Sequence, residues 1–341
     1  MNFLYILGFP VLIYLINNFI DKKNLLQSLS GEKHQLFTTT KNIPLTGGLF
    51  MIPALFIINK LNFDVYYIFF ISIFFIGFFS DLKMITSARL RFILQIILIF
   101  IFVFYYDFHI KNIRIIFIDL FLENKIFSYF FVIFCILIIV NGTNFIDGLN
   151  GLVLGYFLIV LFTIYNLNLF EDLDISNTQL QYILVFLLYL FLFNLFNKLY
   201  IGDSGSYFLG FIFGALLILI YKNNLNISPF FIVLLLWYPC FENLFSIIRK
   251  LRFNLSPLIS DNKHFHQLLF YFLRKKIGFS KLIANNSASL LIVFFNLIIL
   301  SVGATNIFNS QFQIMLIVIS IILYIFVYLR LFDYRFIKKT K

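Results

Sequence analysis

Four short polar stretches interrupt an otherwise greasy chain, and their residue types suit one kind of chemistry. NGTNFIDGLNGL (141–152) carries Asn144, Asp147 and Asn150 among three glycines. IGDSGS (201–206) carries Asp203, and FFSDLK (78–83) carries Ser80 and Asp81. SDNKHFHQLL (260–269) adds Asp261, His264 and His266. Three carboxylates at the edges of apolar segments repel one another and are costly near hydrocarbon unless a positive partner gathers them. A divalent cation with oxygen ligands, Mg²⁺ or Mn²⁺, is the simplest such partner. Glycines in DGLNG and GDSGS permit positive φ and close backbone approach, as phosphate-cradling turns require. Imidazoles beside lysines suit an anionic ligand. The competing account is that the acids are separate helix caps and the histidine pair a surface feature.

The elements that position these residues are membrane spans. Of 341 residues 62% are hydrophobic and 12% charged, against about half and a quarter in soluble domains. Runs near 20 apolar residues recur along the chain, and they do not alternate as barrel strands would. The fold class is therefore all-α, a polytopic membrane protein in one domain over 1–341. About eleven transmembrane helices are expected, at 3–20, 46–59, 65–80, 92–106, 126–141, 149–166, 180–197, 205–221, 228–248, 287–304 and 312–330. The segment 115–122 is too short to cross. The first run lacks the basic start and small-residue cleavage site of a signal peptide, so it counts as a span. Cys135 and Cys240 lie inside apolar runs and read as packing residues.

Charge gives the orientation. Of the 26 Lys and Arg, 21 fall in the loops 21–45, 81–91, 142–148, 198–204 and 249–286, their flanks or the C-terminal end. The positive-inside rule puts these in the cytoplasm and the N-terminus outside. The net charge of +11 is thus orientation signal and calls for no nucleic acid. Every polar cluster above lies on that same side, as do GEKHQ (31–35) and IPLTGG (43–48). The residues alone therefore describe a cytoplasm-facing, metal-dependent site for a phosphorylated substrate, one substrate being a lipid.

Taken together the motifs resemble the polyprenyl-phosphate N-acetylhexosamine-1-phosphate transferases, which include phospho-N-acetylmuramoyl-pentapeptide transferase. NGTNFIDGLNGL looks like their N-x-x-N-x-x-D-G-x-x-G-L signature. GDSGS looks like their G-D-x-G-S turn, with Asn194 at the usual distance before it. DNKHFH looks like their D-x-x-H-x-H element, and KHQ with IPLTGG resembles the N-terminal Lys/His and Pro-x-x-Gly-Gly segment. The resemblance implies attack by polyprenyl (undecaprenyl) phosphate on a UDP-HexNAc, giving polyprenyl-diphospho-sugar and UMP in a bacterial inner membrane. It implies Mg²⁺ held chiefly by Asp203 with Asp147, and diphosphate and nucleophile ordered by Asp147 and Asn144. Lys33 and His266 would bind phosphate charge, and Asp81 would orient or deprotonate the lipid phosphate. Ser80, Asn150, Asn194, Asp261 and His264 complete the substrate-binding set; a homodimer is left open.

Two departures stand out. The family usually has Asp-Asp where this chain has Ser80-Asp81, and a second Asp where it has Asn150. A phosphate monoester is already largely dianionic at neutral pH, its second pKa being about 6, so a base at position 80 is dispensable. Asn150 keeps an oxygen but no charge. The single Phe between the histidines leans away from the muramyl-pentapeptide branch and toward enzymes that initiate O-antigen or other surface glycans. An inactive scaffold in glycan assembly and a transporter of phosphorylated lipid are the alternatives.

Overall fold

The computed structural model describes residues 3–23, 25–26, 43–58, 66–170, 176–256 and 261–336. Among them the chain is all-helical, with no strand. In order come α1 (Phe3–Lys22), α2 (Gly47–Ile58), α3 (Tyr66–Asp81), α4 (Ala88–Tyr105), α5 (Ile116–Leu122), α6 (Lys125–Ile146) and α7 (Leu152–Asn166). They are followed by α8 (Asn177–Leu195), α9 (Gly202–Asn223), α10 (Pro229–Leu235), α11 (Trp237–Arg252), α12 (Phe265–Phe272), α13 (Lys281–Gly303) and α14 (Ser310–Phe336). Among the described residues seven segments are long and apolar enough to cross a membrane, counting Pro229–Arg252 as one; α3 and α7 are shorter apolar helices. This is a multi-pass membrane protein, and the described residues of each stretch expected to span are largely helical, 228–248 as two helices. Seven do not by themselves fix eleven crossings.

Local chemistry explains where these helices begin. The side chain of Ser87 accepts from Leu90 N, that of Asn124 from Ile126 N and Phe127 N, and that of Ser280 from Ile283 N. Ser176 and Gln179 form a capping box for α8, and Ser228 precedes Pro229 at the start of α10. Each cap satisfies N–H groups that have no partner inside the helix. The expected span 228–248 is broken at Leu236 (φ −117°, ψ 8°). Pro239 has no N–H to offer the carbonyl four residues back, and Leu235 O instead accepts from the Tyr156 hydroxyl at 2.9 Å.

Two loop boundaries shift. Residues 142–146, expected in a cytoplasmic loop, continue α6 as a helix to Ile146, and the expected loop 249–286 contains α12. Helix α9 is the most buried of the long spans, and small residues let its neighbours close on it. A Cβ on Gly210 would meet the α6 backbone at Val140 Cα, 2.7 Å away. A Cβ on Gly77 of α3 would meet Ser204 of α9 at 2.5 Å, and one on Gly142 of α6 would strike the Pro239 carbonyl of α11. The ends of α3 and α6 are thereby drawn against the start of α9.

The opposite end of the bundle is pinned differently. Arg114 donates to the carbonyls of Leu225, Asn226, Ile227 and Phe308 at 2.8–3.1 Å. Asp107 pairs with Lys125 at 2.9 Å and accepts from the Tyr129 hydroxyl. Those contacts hold its carboxyl down at about 2.

Candidate active site

Asp203 is the point on which one half of the site converges. It lies in the first turn of α9, where a carboxylate is favoured by the helix dipole. Its Oδ1 accepts from Asn144 Nδ2 at 2.7 Å, and its Oδ2 from Ser80 Oγ at 2.6 Å and from the Arg91 guanidinium. Arg91 also donates to Ser80 Oγ at 2.6 Å, and Asn144 to Ser206 Oγ at 3.1 Å. Helices α3, α4, α6 and α9 thus each contribute to one charge cluster.

Asp81 sits beside this cluster in a supporting position. Its two oxygens accept from Asp203 N at 2.8 Å and Ser204 N at 3.0 Å, so it caps α9. Gly202 makes room for it: φ is +73°, and a Cβ there would meet the Asp81 carboxylate at 2.7 Å. Besides the role toward the lipid phosphate that the resemblance implies, Asp81 caps the start of α9, where the N–H groups of the first turn have no intrahelical acceptor.

The glycine-rich stretch divides. Asn144 lies on α6, and Asp147 is the residue after its last turn. Among the described residues no hydrogen bond or ion pair reaches the Asp147 carboxylate. Burial pushes its carboxyl well above the usual range, and the charges of Asp203 and Asp81 add to that. Asn150, by contrast, is 2% exposed and built into the scaffold. Its N–H donates to Asn285 Oδ1 at 2.8 Å, and its amide nitrogen donates to Asn197 Oδ1. Asn194 Oδ1 accepts from Gly151 N at 2.5 Å and its Nδ2 donates to Leu199 O at 2.8 Å. Asn150 Nδ2 and both polar atoms of the Asn194 side chain are thus engaged in holding the loop.

The second half is the histidine segment. His264 Nδ1 lies 2.9 Å from Glu242 Oε1, and its Nε2 3.5 Å from Asp261 Oδ1. Asp261 accepts a two-pronged pair from Arg249 Nη2, 3.0 and 2.8 Å, and Arg249 also donates to Lys263 O at 2.6 Å. Burial raises the Asp261 carboxyl, but His264 and Arg249 more than offset this and hold it below the usual range. Asp261 thus braces the segment. His266 is fully buried, and a Cβ on Gly148 would run into its Nε2. The His264 and His266 rings stack at 5.7 Å, 12° from parallel. The histidine segment therefore closes directly on the DG of the signature.

IPLTGG joins the other side. Gly47 N donates to Tyr200 O at 2.8 Å, Gly48 N to Ile201 O at 3.2 Å, and Tyr200 N to Pro44 O at 2.9 Å. Lys33 lies outside the described residues.

Arg91 and Arg249 enter the site without having been singled out from sequence, whereas Glu242 stands where the resembled family commonly has a shorter acid. Arg91 was one more orientation charge. The signal for the other two was a run of polar residues in an apolar span, Glu242, Asn243, Ser246 and Arg249, spaced on one helical face.

Fold and geometry define a class: a multi-span membrane protein with an acid cluster and a histidine segment meeting at one end of its helices. Residues 63–221, just under half of the chain, match the model of glycosyl transferase family 4, in keeping with the resemblance read from the motifs. The chain is 28% identical over 154 residues to an undecaprenyl-phosphate α-N-acetylglucosaminyl 1-phosphate transferase of Thermotoga maritima, covering 45% of each protein. It is 33% identical over 137 residues to a probable undecaprenyl-phosphate N-acetylglucosaminyl 1-phosphate transferase of Bacillus subtilis, covering 39% of this chain and 38% of that one. A decaprenyl-phosphate N-acetylglucosaminephosphotransferase of Mycolicibacterium smegmatis is 29% identical over 152 residues, 38% of this chain and 37% of that one. The matched stretch spans less than half the length of these relatives.

Proposed function

We propose that the protein transfers a HexNAc-1-phosphate from a UDP-sugar to polyprenyl (undecaprenyl) phosphate at the cytoplasmic face of a bacterial inner membrane. The observation that carries this reading is Asp203, on which Ser80, Arg91 and Asn144 converge beside an Asp147 carboxylate with no hydrogen-bond or ion-pair partner among the described residues. In the reaction an oxygen of the lipid phosphate forms a bond to the sugar-linked phosphorus. The bond from that phosphorus to the bridging oxygen breaks, and UMP leaves with the electron pair. Such transfers depend on positioning and charge neutralisation more than on covalent help.

The donor set suits Mg²⁺ in kind. Asp203, Asp147 and the Asn144 oxygen are hard ligands, and Mg²⁺ takes few protein ligands and completes its shell with phosphate oxygens and water. When bound, the ion would neutralise diphosphate charge. The chain's own residues do the rest. Arg91 and Asn144 fix the Asp203 carboxylate, Asp81 anchors the helix that bears it, and His266 faces the signature loop.

A catalytically weakened relative that scaffolds glycan assembly is favoured by one observation, the neutral, buried Asn150. Mass spectrometry of lipid product from purified protein, given undecaprenyl phosphate, Mg²⁺ and a panel of UDP-sugars, decides between them. A diphospholinked HexNAc lipid with UMP release is expected; no product with any donor would sink the transferase reading.

A further inference from the structure

The two histidines have separate jobs. His266 meets Gly148, the residue after Asp147. His264 does not reach the DG turn: its ring lies between the His266 ring at 5.7 Å and the Phe145 ring at 5.5 Å. Beneath it lies Glu242, 0% exposed, in the membrane-spanning pair α10–α11. A carboxylate there is costly unless every oxygen is satisfied, and this one is. Oε1 faces His264 Nδ1 at 2.9 Å and accepts from Phe265 N at 3.3 Å; Oε2 accepts from Tyr324 Oη at 2.5 Å. Tyr324 is 4% exposed and lies on α14, beyond the segment that matches the family model. Its ring also packs on Phe265 at 4.8 Å, the residue between the two histidines.

We propose that Tyr324 and Glu242 form a buried clamp that fixes the His264 ring, and that His264 is the platform that aims His266 at the signature loop. Tyr324 and Glu242 are then positioning residues, acting through His264. Carboxylates face both imidazole nitrogens, Glu242 at Nδ1 and, farther off, Asp261 at Nε2, and the nearer one holds a proton on Nδ1 and fixes the ring's orientation. The stacked partner inherits that orientation by contact. The proposal rests on the transferase reading for its kinetic consequence, but not for its geometry.

The experiment has two arms on the full-length protein in nanodiscs. Histidine-selective ¹⁵N spectra are recorded for wild type, Glu242→Gln and Tyr324→Phe, with His264 assigned by His264→Gln. The clamp predicts one fixed Nδ1–H form of His264 in wild type and altered His264 resonances in both variants. In the kinetic arm, turnover with undecaprenyl phosphate and UDP-GlcNAc should fall about tenfold or more in Glu242→Gln and less in Tyr324→Phe. The KM for UDP-GlcNAc should be unchanged in both. His264→Phe in the Glu242→Gln background keeps a ring and strands no charge, and should retain most of the Glu242→Gln turnover. His266→Gln should abolish it. Identical His264 resonances in all three proteins overturn the clamp, and collapse of the His264→Phe double variant to the His266→Gln level overturns the platform. If wild type makes no product with this donor, the transferase reading is what has failed, and the ¹⁵N arm alone decides the clamp.

Discussion

The acid half and the histidine half of the site handle charge in opposite ways. Around Glu242 and Asp261 every carboxylate is met by protein donors: His264, Tyr324, Arg249 and backbone N–H groups. Around Asp147 a carboxylate is left with no protein partner among the described residues, beside a second acid, Asp203. A buried charge is tolerated when paired and costly when bare. The matched half therefore holds a segment still, and in the acid half Asp147 alone, beside the paired Asp203, is left open to a positive group. The difference teaches which half to expect at the chemistry and which at its support.

Substitutions should separate the two. The largest effect on activity is expected for Asp203→Ala, which removes the shared acceptor of Ser80, Asn144 and Arg91. Turnover measured by UMP release should fall at least about a hundredfold, with a stability loss of about 1–2 kcal/mol from the stranded donors. Arg249→Ala should do the reverse and act on stability. It strands Asp261, and with that acid partly exposed the loss should be about 2 kcal/mol, read as a lower unfolding midpoint in detergent.

Asn150→Asp tests the departure from the family pattern. The carboxylate would face Asn197 Oδ1 with no donor to offer it, so the variant should be less stable by about 2 kcal/mol and gain no activity. A gain would place Asn150 in the acid half after all. The smallest effect concerns pH. The Asp147 carboxyl is raised above its ordinary value of 3.8, so the folded state binds the proton more tightly than the unfolded one. Its contribution to stability is greatest at low pH and declines as pH rises from about that value through the raised one. Asp147→Asn should flatten that decline, seen by comparing unfolding midpoints at acid and neutral pH in the two proteins.

Much of this was legible in the residues. The apolar runs gave the helices, because hydrocarbon forces backbone groups to pair within a segment. Asp203, Asn144 and Asp147 could be picked out as acids and amides at glycine-rich boundaries. Arg91 could not, since a guanidinium at a helix start looks like any other inside charge until α4 packs on α3. Nor could the loop-holding hydrogen bonds of Asn150 and Asn194, since an amide that binds a ligand and one that holds a loop are the same residue type.

What the sequence by itself determined is the class of structure, the side on which polar residues gather, and the chemistry they are capable of. Only tertiary structure decided which groups are spent on one another. Gly77, Gly142 and Gly148 bring α3, α11 and His266 into contact, and those contacts turn Asp81 into a cap, Asp261 into a brace and Asp203 into a hub. The physical reason is distance. Hydrogen bonds and ion pairs act over a few ångströms, and separations of 122 or 123 residues, as between Asp81 and the start of α9, become 2.8 and 3.0 Å only after the helices pack.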